Sequence, residues 1–154
     1  MSKKNEQAAD RPIEQKVSLA LKIAVAAIFA SLVAVVTLSF TIPIPATQGI
    51  FNFGEVLIYS ASLLFGPFVG LIAGSGASIA DMLVAPHYAV GTLIIKAIEG
   101  FLVGYLIKKL SHKIKNLTIC AFIAIIVGGS EMVAGYFLYQ TLVLGFPILA
   151  ALYE

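Results

Sequence analysis

Lys96, Glu99 and Glu131 are a lysine and two carboxylates set deep within stretches of otherwise apolar sequence. Most other charges collect at the amino terminus or between positions 108 and 115. An ionisable group at membrane depth is costly, so such groups turn toward a protein interior or a wet cavity and pair with one another. A primary ammonium beside two carboxylates suits either an internal ion pair or the polar wall of a pocket. Pairing accounts for one acid more easily than for two, which favours the pocket. Lys96 and Glu99 stand three residues apart and share a helical face. Asp81, at the end of the preceding apolar stretch, is a further candidate substrate-binding acid.

The solvent follows from composition. The chain is 60% hydrophobic and 12% charged, with a mean hydropathy of +0.99, values that no ordinary soluble domain tolerates. Apolar runs of about 20 residues cross a bilayer as helices, because the backbone must there satisfy its own hydrogen bonds. The single cysteine, Cys120, forms neither an intramolecular disulfide nor a metal cluster. No nucleotide-binding loop is recognisable, and no residue set suggests catalysis, a metal or a cofactor. The chain reads as a non-enzyme, and ATP-driven work would need another polypeptide. The net charge of +2 does not point to nucleic acid, since the basic residues follow membrane topology.

The fold class expected is an all-α integral membrane bundle of six helices behind a polar tail over 1–15. The helices are predicted over 16–40, 54–65, 67–84, 90–107 and 117–139, with a sixth over 146–154 that is cut short. Thr41 and the prolines Pro43 and Pro45 stop the first helix, and a loop is expected up to Phe53. Asn52 can cap the second helix with Glu55 in its first turn, so Glu55 reads as a helix-start residue rather than a ligand. Pro67 suits the first turn of the third.

Lys3, Lys4, Arg11, Lys16 and Lys22 mark one end of the first helix, and Lys108, Lys109, Lys113 and Lys115 mark the connection after the fourth. Four crossings place both clusters on one side, which the positive-inside rule makes cytoplasmic, with the amino terminus. The loop over 43–53 and the break at Pro86-His87-Tyr88 then face outside. Lys96 lies roughly 9 Å below the outer start of its helix and Glu131 about 12 Å below the outer end of its own, so these charges can meet at one depth. Gln48, Asn52, Tyr88 and Tyr136 fall at the rim of such a pocket, where aromatics stack on a flat ligand and amides read its hydrogen-bonding edge.

Stripes of small residues let membrane helices approach closely. Gly70, Gly74 and Ser78 on the third helix, with Gly100 and Gly104 on the fourth, suit packing within the bundle. Ala26, Ala30 and Ala34 on the first helix suit either internal packing or a partner protein.

Four segments together resemble a known family: FNFGEVLIY at 51–59, LFGPFVG at 64–70, GSGASIAD at 74–81 and LIIKAIEG at 93–100. Their order and spacing are similar to the substrate-binding S component of energy-coupling-factor (ECF) vitamin transporters, in the riboflavin-type branch, and the likeness runs over about 16–154. The resemblance implies a six-helix protein of the cell membrane that captures a vitamin or vitamin precursor outside the cell. Riboflavin is favoured by the branch, with hydroxymethylpyrimidine, pyridoxine and pantothenate as other possibilities. It implies partners: a transmembrane coupling subunit that docks on Ala26, Ala30 and Ala34, and two ABC-type ATPases. By the same likeness Lys96, Glu99 and Glu131 are candidates for the ligand region. A complete member continues beyond Glu154, which sets the chain's end apart from the family pattern. The competing readings are a stand-alone proton-coupled carrier, in which Glu99 or Glu131 titrates, and a structural protein whose charges only pair.

Overall fold

A computed structural model describes residues 19–44 and 49–152. The polar tail over 1–15, the predicted helix start at Lys16, Gln48 and Glu154 lie outside them. The elements run α1 Leu19–Ser39, β1 Thr41–Ile44, β2 Gly49–Asn52, α2 Gly54–Phe65, α3 Pro67–Val84, α4 Ala89–Ser111, α5 Leu117–Leu138, a π-helical turn Tyr139–Val143, and α6 Ile148–Ala151. The protein is therefore an all-α bundle with one small hairpin. Among the described residues, four stretches are long and apolar enough to cross a membrane: Leu19–Ser39, Pro67–Val84, Ala89–Ser111 and Leu117–Val143. At 1.5 Å per residue they reach roughly 27 to 40 Å, against a hydrocarbon core of about 30 Å.

Local chemistry sets the element ends. Gly66 adopts φ 85° and ψ −172°, a conformation essentially reserved for glycine, and Pro67 follows in the first turn of α3. Asn116 caps α5 by accepting from the Thr118 and Ile119 amides. Asn52 departs from its predicted role. Phe53 holds the cap position of α2, and Asn52 Oδ1 instead accepts from the Gly54 amide at 2.8 Å, two residues on, and from Thr37 Oγ1 at 3.2 Å. That pair ties the start of α2 to the end of α1.

The segment before α2 also differs from the expected loop. β1 and β2 pair antiparallel, with Thr41 opposite Asn52 and Ile44 opposite Gly49. Phe40 and Phe53 close the base of the hairpin edge to face, with ring centroids 6.3 Å apart. Pro43 is tolerated because a two-stranded ladder has free edges on both sides. α4 runs one turn beyond the predicted end, through the lysines, since Lys108 and Lys109 in its last turn favour the helix C-terminus.

α3 is the central element and packs most extensively against α4 and α1. Its contact with α4 is backbone on backbone. A Cβ at Gly74 would lie 1.9 Å from the Lys96 carbonyl oxygen, and one at Gly70 would lie 2.3 Å from that of Gly100. On the other side Gly76 meets the backbone of Ala30. The core is correspondingly built from small side chains, with Ala26, Ala61, Val69 and Ala73 in one cluster and Val33, Ile58 and Ala77 in another. The outward faces of α1 and α5 expose Ile28, Leu32, Val35, Ile119 and Phe122, the surface expected toward lipid.

This geometry predicts that Gly74→Ala lowers stability by about 1–3 kcal/mol, the usual cost of overpacking. Thermal unfolding of the purified protein in detergent checks it. A melting temperature equal to that of the parent protein would show that α3 and α4 can separate without penalty.

Candidate ligand-binding site

At the end of the bundle opposite the lysine-rich connection, the start of α2, the end of α3, the start of α4 and the end of α5 surround a cavity of about 880 Å³. Lys96 lies in its wall and is 4% exposed. The ammonium donates to Glu55 Oε1 and, at 3.1 Å, to Glu99 Oε2, and it also contacts the Met132 sulfur. Glu99 is fully buried behind it, and its other oxygen accepts from the Tyr59 hydroxyl at 2.7 Å. A lysine taken out of water is thus held by two carboxylates, one of which is itself hydrogen-bonded by a phenol. Such satisfaction is what buried charge requires.

A second polar chain runs beside the first. The Tyr136 hydroxyl donates to Thr92 Oγ1 at 3.0 Å, and Thr92 donates to Asp81 Oδ2 at 2.5 Å. Asp81 is 5% exposed yet lines the cavity. The Tyr136 ring lies under the Lys96 ammonium, 5.4 Å from nitrogen to centroid, within cation–π range. Tyr88 packs its ring 6.2 Å from those of both Tyr136 and Tyr139. The Tyr139 hydroxyl donates to the His87 carbonyl at 2.9 Å, fastening the α3–α4 connection to the end of α5.

The predicted site residues separate into groups. Asn52, Asp81, Tyr88, Lys96 and Tyr136 line the cavity together. Glu99 stands behind Lys96 as its counter-ion. Glu131 does not join them: the second carboxylate on Lys96 is that of Glu55, and Glu131 Oε2 is buried without a hydrogen-bond partner. The helix start of α2 sits at the same depth as the lysine, and this brings Glu55 into range ahead of Glu131. Gln48 lies outside the described residues.

Sequence reasoning missed Glu55, Tyr59, Thr92 and Met132. Glu55 and Tyr59 are four apart on α2, as Thr92 and Lys96 are on α4, and paired polar groups at that spacing share one face. This periodicity was the available signal. Gln140 also lines the cavity and is buried; it belongs to the π-helical turn, whose extra residue no helical periodicity anticipates.

The small-residue stripe of α1 requires a correction. Ala26 is 0% and Ala34 8% exposed, and Ala30 meets Gly76. Ala26 and Ala34 turn into the bundle and Ala30 is half-buried, so the three do not form an open docking face.

Removing the cation should be severe. Lys96→Met leaves Glu55 and Glu99 facing each other in a buried setting, and unfolding should come about 3–5 kcal/mol sooner. Adding Glu55→Gln and Glu99→Gln should recover most of that loss. Chemical or thermal denaturation of the three-site variant decides it, because a midpoint as low as that of Lys96→Met alone would separate the loss from charge pairing.

Comparison with known proteins agrees with this architecture. An uncharacterised protein of Pyrococcus woesei, named for its place in a gap 3′ region, is 41% identical over 105 residues, covering 68% of each chain. The family described as ECF-type riboflavin transporter, S component, matches residues 18–153. With a match over nearly its full length and an apolar helical bundle behind it, the chain belongs to the S-component family of ECF-type riboflavin transporters, membrane transport components and not enzymes.

Proposed function

We propose that this protein captures a vitamin or vitamin precursor from outside the cell, without ATP, for uptake driven by a separate coupling subunit and two ABC-type ATPases. The observation that carries this reading is the cavity of about 880 Å³. Its size falls within the range of small-molecule sites, and it is mostly apolar with a few convergent polar groups. It lies at the end of the bundle away from Lys108 and Lys109, which the positive-inside rule makes external, with the amino terminus cytoplasmic. Asn52, Asp81, Tyr88 and Tyr136 are the side chains we assign to ligand contact, with Lys96 and Glu99 holding the wall in shape. Riboflavin is the first ligand to test, on the strength of the family description.

Docking of the coupling subunit we place on the outward side of α1. Ala27 and Ser31 stand one turn apart there, in a shallow groove flanked by Ile28, Leu32 and Val35. Small residues at that spacing admit a partner helix where lipid offers no hydrophobic reward for association.

Mass spectrometry of small molecules released from the purified full chain should find one vitamin-sized compound. Titration of that compound should give sub-micromolar affinity without ATP, and Tyr136→Phe should weaken it by about three- to tenfold through the lost hydroxyl. Uptake by the chain alone, driven by a pH gradient, would refute the reading.

Ala27→Leu with Ser31→Leu should leave ligand affinity unchanged and abolish ATP-dependent uptake in cells that hold the partner subunits. Unchanged uptake would move the docking surface elsewhere.

A further inference from the structure

The donors of Lys96, Tyr59, Thr92, Ser130 and Tyr136 are already committed to the cavity's own wall, and this bears on what can occupy it. An ammonium has three donors, and Lys96 directs its contacts to Glu55, Glu99 and Met132. The Tyr136 hydroxyl proton goes to Thr92 and that of Thr92 to Asp81. The Tyr59 hydroxyl proton goes to Glu99, and Ser130 donates to the Ile126 carbonyl at 2.7 Å. Acceptors are left over by contrast. Glu55 Oε2 is buried without a hydrogen-bond partner, and Glu55 belongs to the cavity lining. A buried acceptor in that state costs free energy until a donor reaches it.

Formal charge points the same way. Among the described residues the lining holds two carboxylates, Glu55 and Asp81, and one cation, Lys96. Glu99 lies directly behind that cation. The group therefore carries one positive charge against three negative ones. His87, the other basic group near Asp81, is exposed and does not belong to the lining.

Resting on the capture reading above, we infer that the site takes an uncharged or cationic ligand whose N–H or O–H groups reach Glu55 Oε2 and the Asp81 carboxylate, and that it rejects carboxylate- and phosphate-bearing relatives of that ligand. Lys96 is a counter-ion in this arrangement and not an anion receptor, which reverses the role its charge alone suggests. Asn52 complements the acceptors. Its Oδ1 is taken by Thr37 and Gly54, which turns its amide N–H₂ into the side's donor for a ligand carbonyl.

The test uses the purified full chain in lipid nanodiscs and equilibrium dialysis against matched pairs: riboflavin and riboflavin 5′-phosphate, pyridoxine and pyridoxic acid, nicotinamide and nicotinate. For any pair that binds, the member without the acidic group should bind at least about tenfold more tightly, as like-charge juxtaposition demands. Asp81→Asn should narrow that ratio, by weakening the neutral member through the lost acceptor and by relieving the repulsion of the acidic one. Glu55→Gln, checked by thermal unfolding for a folded state, should narrow it independently. Equal or tighter binding of the anionic member overturns the inference and leaves the capture reading standing. Absence of binding by every probe, together with no small molecule released from the purified chain, overturns both.

Discussion

The contact on which the site depends is the approach of α3 to α4 at Gly70 and Gly74. Lipid gives two helices no hydrophobic incentive to associate, so packing and internal hydrogen bonds must hold them. Here the missing side chains let one backbone rest on the other, with Gly74 against the carbonyl of Lys96 itself. The register so established has consequences on both sides of that point. Toward the start of α4 it sets Thr92 against Asp81 of α3. At the contact it places Lys96 where α2 and α5 can reach its ammonium. A wider separation would remove both polar chains at once.

In the reading proposed above, the charge cluster built on that register is a specificity device more than a source of stability. A buried ion pair gains little over a well-packed apolar pair, because desolvation offsets much of the attraction. What Glu55 and Glu99 contribute is a defined position for the lysine and a defined electrostatic sign for the cavity. Tyr59 and Tyr136 extend the network outward, each anchoring an acid directly or through one hydroxyl. The aromatic group of Tyr88, Tyr136 and Tyr139 closes one side and ties the α3–α4 connection to α5. The π-helical turn that follows α5 keeps Gln140 on the cavity side while the chain bends toward α6.

α1 shows how one spacing supports opposite readings. Ala26, Ala30 and Ala34 repeat every four residues, which marks a smooth helical face but does not say what lies against it. Gly76 on α3 answers from within the chain. The neighbouring row, Ala27 and Ser31, is left facing outward beside exposed Ile28 and Val35.

The amino-acid sequence by itself determined the solvent and the helices, because these follow from local quantities: apolar length and breaking prolines and glycines. It also marked Lys96, Glu99 and Asp81 as unusual, since charge inside an apolar stretch stands out without any knowledge of partners. Which acid answers which base was decided only by tertiary structure. Glu55 lies 41 residues before Lys96 in the chain, and its partnership depends on how deep the start of α2 sits beside α4. Glu131 seemed equally close when depth was counted along straight helices, yet lateral position and rotation about the helix axis, which no residue count records, gave that place to Glu55. The hairpin before α2 and the π-helical turn after α5 escaped for a related reason. Both are short, the one a four-residue ladder and the other a single π-helical turn, and their residues carry no period to announce them.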